Sequence, residues 1–211
     1  MAATPYTLPR RSITSAQLLT QLGLDHGLSV ERCLHGSGLS PLQLAELHSE
    51  IDGEQELQLI SNLIDALPAQ YDLGLQAGLR YQLTTYGIWG YALLSSQTFR
   101  QAADLGLRYL DLTFAFNRIT LREDASHAHL ELDGSHLPDH VRDFLLLRDA
   151  VAVMVIQREL TAAKMPLSRV QLSMPAPADP RRFIEQFGLL PEFACAQNRI
   201  SFPRHLLDLP L

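Results

Sequence analysis

Lysine is all but missing from this 211-residue chain: Lys164 stands alone among 17 basic residues, and the rest are arginine. Against them are 23 acidic residues, a net charge of −6. A protein that reads duplex DNA needs a basic face to neutralise phosphates. Nothing in the chain is strongly basic, so no DNA-reading module is expected within it. Cysteine is nearly as scarce. Cys33 and Cys195 are the only two, and Arg10 and Arg11 have no apolar stretch behind them that would make an export signal. Two free thiols in a reducing, cytoplasmic setting are expected, though a bridge between them stays open on sequence alone. Long apolar runs are missing too. The most apolar stretch, 144–156, is interrupted by Arg148 and Asp149 and is too short to span a bilayer, so no membrane partner is expected. Catalytic signatures are absent: no Gly-x-Ser-x-Gly elbow, no phosphate-binding loop, no dinucleotide fingerprint and no His-Glu-x-x-His. We therefore expect no enzyme, no catalytic residue and no cofactor.

What is present is a globular composition, 46% apolar and 19% charged, with two kinds of periodicity. Residues 1–13 read as a disordered leader, since Pro5 and Pro9 oppose a helix. Residues 14–82 read as short capped helices, and Ser40-Pro41-Leu42-Gln43 combines an N-cap, a first-position proline and a third-position glutamine. Two more helices follow, over 86–94 and from Ser95-Ser96 to about 110. The glycines Gly87 and Gly90 on the first suggest close packing against another backbone. The period then changes. Residues 117–122 and 129–133 alternate around a polar turn, a hairpin with Ile119, Leu121, Leu130 and Leu132 inward. A long helix over 138–163 follows, then a strand at 169–173, a short helix over 180–187 and a strand at 199–202. The order from residue 83 is α-β-β-α-β-α-β, which predicts an α+β fold: a helical segment, then a mixed or antiparallel sheet of about four strands packed with long helices. Residues 14–211 read as one domain, with a weak seam near 80–84.

Residues 86–96, Tyr-Gly-Ile-Trp-Gly-Tyr-Ala-Leu-Leu-Ser-Ser, are followed by Ala102-Ala103-Asp104-Leu105-Gly106-Leu107-Arg108-Tyr109-Leu110. Later come Pro175-Ala176-Pro177, Phe187-Gly188 and Asn198-Arg199-Ile200-Ser201-Phe202. This ordered set resembles the N-terminal effector-binding and dimerisation domain of AraC-type bacterial transcription regulators, in the arabinose-binding-domain, ornithine-utilisation-regulator-like branch. The resemblance runs from about residue 14 to residue 211. It implies a small-molecule effector, a homodimer, and contact with DNA only through a C-terminal helix-turn-helix part that lies outside this chain. The strand count argues against carrying over a cupin barrel with a sugar pocket. An amino acid, an aromatic acid or a fatty acid fits the effector slot equally.

Eight of the fifteen aromatic residues fall between Tyr81 and Phe116. Apolar ligand pockets are lined this way; ordinary core is the alternative. The candidate ligand-binding residues are Tyr86, Trp89, Tyr91, Arg108, Phe114 and Phe116. Arg108, Arg142 and Arg148 could each pair with an effector carboxylate, or with Asp111 or Asp149 internally. His127 and His129 share the outer face of a strand with Glu131 and Asp133, and His136 and His140 follow; a solvated polar face is expected there, not a metal. Residues 18–33 imitate a helix-turn-helix, but the second helix offers Glu31 and Arg32 in place of groove-reading side chains. The helix over 138–163 is apolar on more than one stripe, so it is a core helix or one with an edge in a dimer interface.

Overall fold

The computed structural model describes residues 10–46, 49–68 and 71–211. They form two compact units, divided between residues 70 and 71. The seam thus lies about ten residues before the expected one, and its physical cause is the packing of residues 73–78 described below. Most of the expected leader lies outside the described residues. Its last part does not behave as a leader: Arg11 and Ser12 form a strand and Ile13 is fully buried.

In the first unit, strand β1 (Arg11–Ser12) pairs antiparallel with β2 (Glu50–Ile51). Around them are α1 (Thr14–Asp25), α2 (Val30–Leu34), α3 (Pro41–Leu44) and α4 (Gly53–Ala66). Side-chain caps start α2 and α3, while α1 begins after Ile13 with no capping side chain. Ser29 Oγ accepts from Arg32 N at 3.2 Å. Ser40 and Gln43 close a reciprocal box at the start of α3. Leu19, Leu22, Leu59, Ile60 and Leu63 are buried. Gly23 lets α1 approach closely, because a Cβ there would sit 2.4 Å from Cys33 Sγ. Burial raises the Cys33 thiol above its ordinary value; both cysteines are free.

The second unit is built on α8 (Asp139–Thr161). The helix is buried along most of its length and on more than one face, which makes it the core helix. Against one flank lies α5 (Leu73–Gly78). Gly74 and Gly78, four residues apart, face its backbone: a Cβ at each would meet Phe144 O at 2.3 Å and Arg148 O at 2.6 Å. This glycine pair ties residues 73–78 to the second unit and moves the seam forward.

Against another flank lies a four-stranded sheet of order β3-β4-β6-β5, antiparallel throughout. Its strands are β3 (Arg118–Glu123), β4 (His127–Asp133), β5 (Arg169–Gln171) and β6 (Asn198–Pro203). Ile119 pairs with Leu132, Leu130 with Ile200, and Ile200 with Val170. These residues share one core cluster with Leu146, Val151, Met154 and Val155 of α8. The short α9 (Arg181–Phe187) adds Phe183 and Phe187 to it. The α+β class is as expected, and the described residues form no closed barrel.

Between α5 and the sheet run α6 (Ile88–Leu94) and α7 (Phe99–Arg108). Two boundaries differ from expectation. Tyr86 closes a 3-10 turn and does not begin the helix, because Gly87 at φ +54° breaks the chain direction. Thr98, not Ser95 or Ser96, caps α7, its Oγ1 accepting from Gln101 N at 3.3 Å. Of the two glycines, Gly90 makes the close approach: its Cβ would lie 2.1 Å from the carbonyl oxygen of Leu83.

Candidate functional site

The aromatic-rich stretch folds around one ion pair. Arg148 and Asp149 are adjacent on α8 and both buried, with Arg148 Nε and Nη2 at 3.0 and 2.8 Å from Asp149 Oδ1. Asp149 Oδ2 accepts from Phe116 N, Asn117 N and Asn117 Nδ2 at 3.0, 2.9 and 2.8 Å. Arg148 also donates to Phe114 O. The pair thereby fixes residues 114–117, the backbone entering β3. The guanidinium carbon sits 5.4 Å from the Tyr81 ring centroid and 5.1 Å from that of Phe116. Tyr86 packs on Trp89 and Phe114, centroids 5.1 and 5.4 Å apart. These groups enclose an alcove of about 40 Å³ lined by Tyr81, Tyr86, Phe114, Arg148 and Asp149, with Trp89 in one wall.

On the other side of Trp89 is a larger pocket of about 100 Å³. Its wall is assembled from four elements. Leu93 comes from α6, Ala102, Gly106 and Leu107 from α7, Val153, Met154 and Ile156 from α8, and Ile119, Leu130 and Ile200 from the sheet. Trp89 Nε1 donates to Gly106 O at 3.3 Å, so the indole links α6 to α7 while standing between the two spaces. Gln157 is the one amide in the lining, and its polar atoms are engaged by the end of α8 and the chain just after it. Nε2 donates to Thr161 Oγ1 and Ala163 O, and Oε1 accepts from Met165 N.

Of the six candidate residues, Tyr86, Trp89 and Phe114 are brought to these spaces. Phe116 is buried beside Arg148, outside the lining. Tyr91 and Arg108 are not brought to them. Tyr91 is 75% exposed and points outward with Ile88 and Leu94, three residues apart on α6; Arg108 is exposed at the end of α7. The correction follows from helical geometry: when Trp89 faces inward, a residue two positions on faces out. Arg142 donates to Gly134 O and Leu137 O and pairs with Asp139. Sequence reasoning missed the α8 wall, Val153, Met154 and Ile156. The signal was the second apolar stripe of that helix, which covers a pocket as well as a core.

Away from the pocket, His129 Nδ1 lies 2.9 Å from Ser201 Oγ and Nε2 3.0 Å from Asp124 Oδ2. The His129 contact and the Ser126 and His127 amides hold the Asp124 carboxyl well below the usual carboxylate range. Among the described residues no three His, Cys, Asp or Glu side chains are grouped to hold a metal. No helix among them is long and apolar enough to cross a membrane. An open groove of about 430 Å³ runs past Glu131, Asp133, Arg142 and Asn198. Its charges are already engaged: Glu131 with Arg122 and Arg199, Asp133 with Arg118.

Residues 27–211 match the family described as the arabinose-binding domain of AraC transcription regulators, N-terminal. The chain is 29% identical over 209 residues to an HTH-type transcriptional regulator of Mycobacterium tuberculosis, covering 96% of this chain and 60% of that one. It is 26% identical over 200 residues to the ornithine utilization regulator of Pseudomonas aeruginosa, covering 94% and 58%. It therefore spans about three-fifths of the length of these relatives. The crystal structure of the transcriptional regulator CdpR from P. aeruginosa superposes with a TM-score of 0.68 at 21% identity, over 93% of this chain and 57% of that one, a likeness of fold.

Proposed function

Because this chain belongs to the family of N-terminal arabinose-binding domains of AraC transcription regulators, we propose that it is the effector-sensing part of such a regulator. It takes up a small metabolite in the pocket behind Trp89 and passes the change to an attached DNA-binding part. The observation that carries this reading is the pocket itself. A space of about 100 Å³ stands between α6, α7, α8 and the sheet, bounded by an indole that ties two of those helices together. A ligand that fits one arrangement of these elements better than another shifts the population toward it. The groove beside Glu131 is the weaker candidate, since its charges are matched internally. A homodimer, a cytoplasmic location and DNA contact through a separate helix-turn-helix part complete the reading. The relatives' names, all of transcription regulators, support regulation over catalysis.

The test is a thermal-shift screen of sugars, amino acids including ornithine, aromatic acids, fatty acids and small uncharged apolar compounds, followed by a promoter reporter driven by the full-length regulator. Saturable stabilisation by one class, with a reporter response to the same compound, is expected. No shift from any class and a reporter deaf to all of them would remove the sensing reading. Sedimentation that gives a monomer at every concentration would remove the dimer.

A further inference from the structure

The pocket behind Trp89 offers no polar atom to a guest. Apart from Trp89 and Gln157 its lining is hydrocarbon or thioether, from Leu93 and Ala102 to Met154 and Phe202. The Trp89 N–H is committed to Gly106 O, and the Gln157 amide to Thr161, Ala163 and Met165. Arg148 lines the alcove and not the pocket. There it is held by Asp149 and Phe114 O. A carboxylate or ammonium entering the pocket would lose its water shell and gain nothing in return. A sugar would strand its hydroxyls in the same way. Size points in the same direction. Apolar cavities of about 150 Å³ stay dry and take up benzene; this one is about 100 Å³, with two unbranched thioethers, Met154 and Met165, able to adjust its walls.

Resting on the reading that this pocket receives the effector, we propose that its ligand is an uncharged, compact hydrocarbon-like molecule of about five or six carbons, seated against Trp89. This removes sugars, amino acids and free carboxylates from the pocket. It also names the transmitting contact: a guest beside the indole bears on the hydrogen bond that joins α6 to α7.

Trp89 is the chain's single tryptophan, so its emission reports the pocket and the alcove that it also borders, and Ala102, which lines the pocket and not the alcove, separates the two. The experiment titrates the protein with bromobenzene, whose heavy atom quenches indole on contact, and with benzene, benzoate and benzylammonium as competitors. Saturable quenching by bromobenzene is expected, reversed by benzene, with the two charged compounds on the order of 100-fold weaker or worse. Ala102→Leu, which places a larger side chain in the pocket, should abolish the quenching. If circular dichroism shows that variant unfolded, Leu160→Ala takes its place: it enlarges the pocket and should shift preference from bromobenzene toward 4-bromotoluene. Benzoate or benzylammonium competing as well as benzene overturns the proposal, and so does the absence of quenching by bromobenzene. A metabolite from the thermal-shift screen that stabilises the protein with Trp89 emission unchanged overturns it too, while leaving the sensing reading intact. Quenching as expected, with a regulator that answers no compound in the reporter, leaves this inference standing and removes the sensing reading.

Discussion

Each of the two units buries an arginine against a carboxylate, yet the two pairs are built differently. In the first unit Arg11 Nη1 lies 3.4 Å from Glu56 Oε2, and Ser15 Oγ donates to Glu56 Oε1 at 2.6 Å. The partners are 45 residues apart, so the pair staples β1 to α4. In the second unit Arg148 and Asp149 are chain neighbours and fix no tertiary contact by pairing with each other. What they fix is a third party, the backbone of residues 114–117. Burying two charges costs desolvation that their attraction only partly returns, so a buried pair is weak evidence of added stability. The staple is accounted for by closure of a short unit. The second pair shapes a strand entry beside a pocket, which is where a costly polar device fits the proposed sensing role.

The two pairs should differ most at Asp149. Asp149→Ala takes the carboxylate from Arg148 and the acceptor from two backbone amides, and should cost about 3–5 kcal/mol of stability. Urea denaturation followed by Trp89 emission measures it, since that indole sits in the same unit. A cost under about 1 kcal/mol would mean that the pair does not hold the strand entry. Glu56→Ala comes next, at about 3 kcal/mol, because the ion pair it removes is longer, 3.4 Å against 2.8 Å; far-UV circular dichroism reads the loss of helix. Third is Gly78→Ala. Its Cβ would meet the Arg148 carbonyl at 2.6 Å, backbone that cannot swing aside, so about 2 kcal/mol is expected from overpacking, against a small gain from helix propensity alone. An alanine tolerated there without cost would mean that α5 and α8 are not held at backbone contact.

Much of the second unit was legible because its periodicities are clean. Ala128, Leu130 and Leu132 are buried as the alternation of β4 requires, and the hairpin, the long helix and the two later strands fall where expected. The seam was misplaced because the pattern that decides it, Gly74 and Gly78 on one face of a six-residue helix, matters only once a partner backbone is known. The candidate site was half legible. Tyr86, Trp89 and Phe114 reach the two spaces; Tyr91 does not, because aromatic density along the chain carries no direction and a helix assigns one. Arg108, chosen as a partner for a carboxylate, is exposed at the end of α7. The α8 wall was hidden in plain view, since an apolar side chain looks the same in sequence whether it meets a neighbour or a void.

A smaller contribution at the same strand entry comes from a histidine. Residues 114–117 have a second restraint: His136 Nε2 lies 3.1 Å from Phe116 O, a geometry in which the ring nitrogen donates. Burial, and then the nearby Arg118, push the His136 ring below its ordinary value of 6.5, against smaller opposing effects of the Phe116 contact and Asp133. The folded protein therefore binds fewer protons at this ring than the unfolded chain does between the two values. Where the unfolded state holds more protons, stability rises with pH. The neutral ring's contribution is thus complete above pH about 6.5 and is lost as the pH falls through that value toward the lower, folded one. Asp143, raised by burial, has a slope of the opposite sign, its stabilising protonated form being lost as the pH rises. Urea midpoints measured from pH 5 to pH 7.5 should therefore fall on the acid side, and His136→Gln should flatten that fall while removing one hydrogen bond of about 1 kcal/mol. An unchanged slope in the variant would leave Asp149 as the restraint that holds the strand entry.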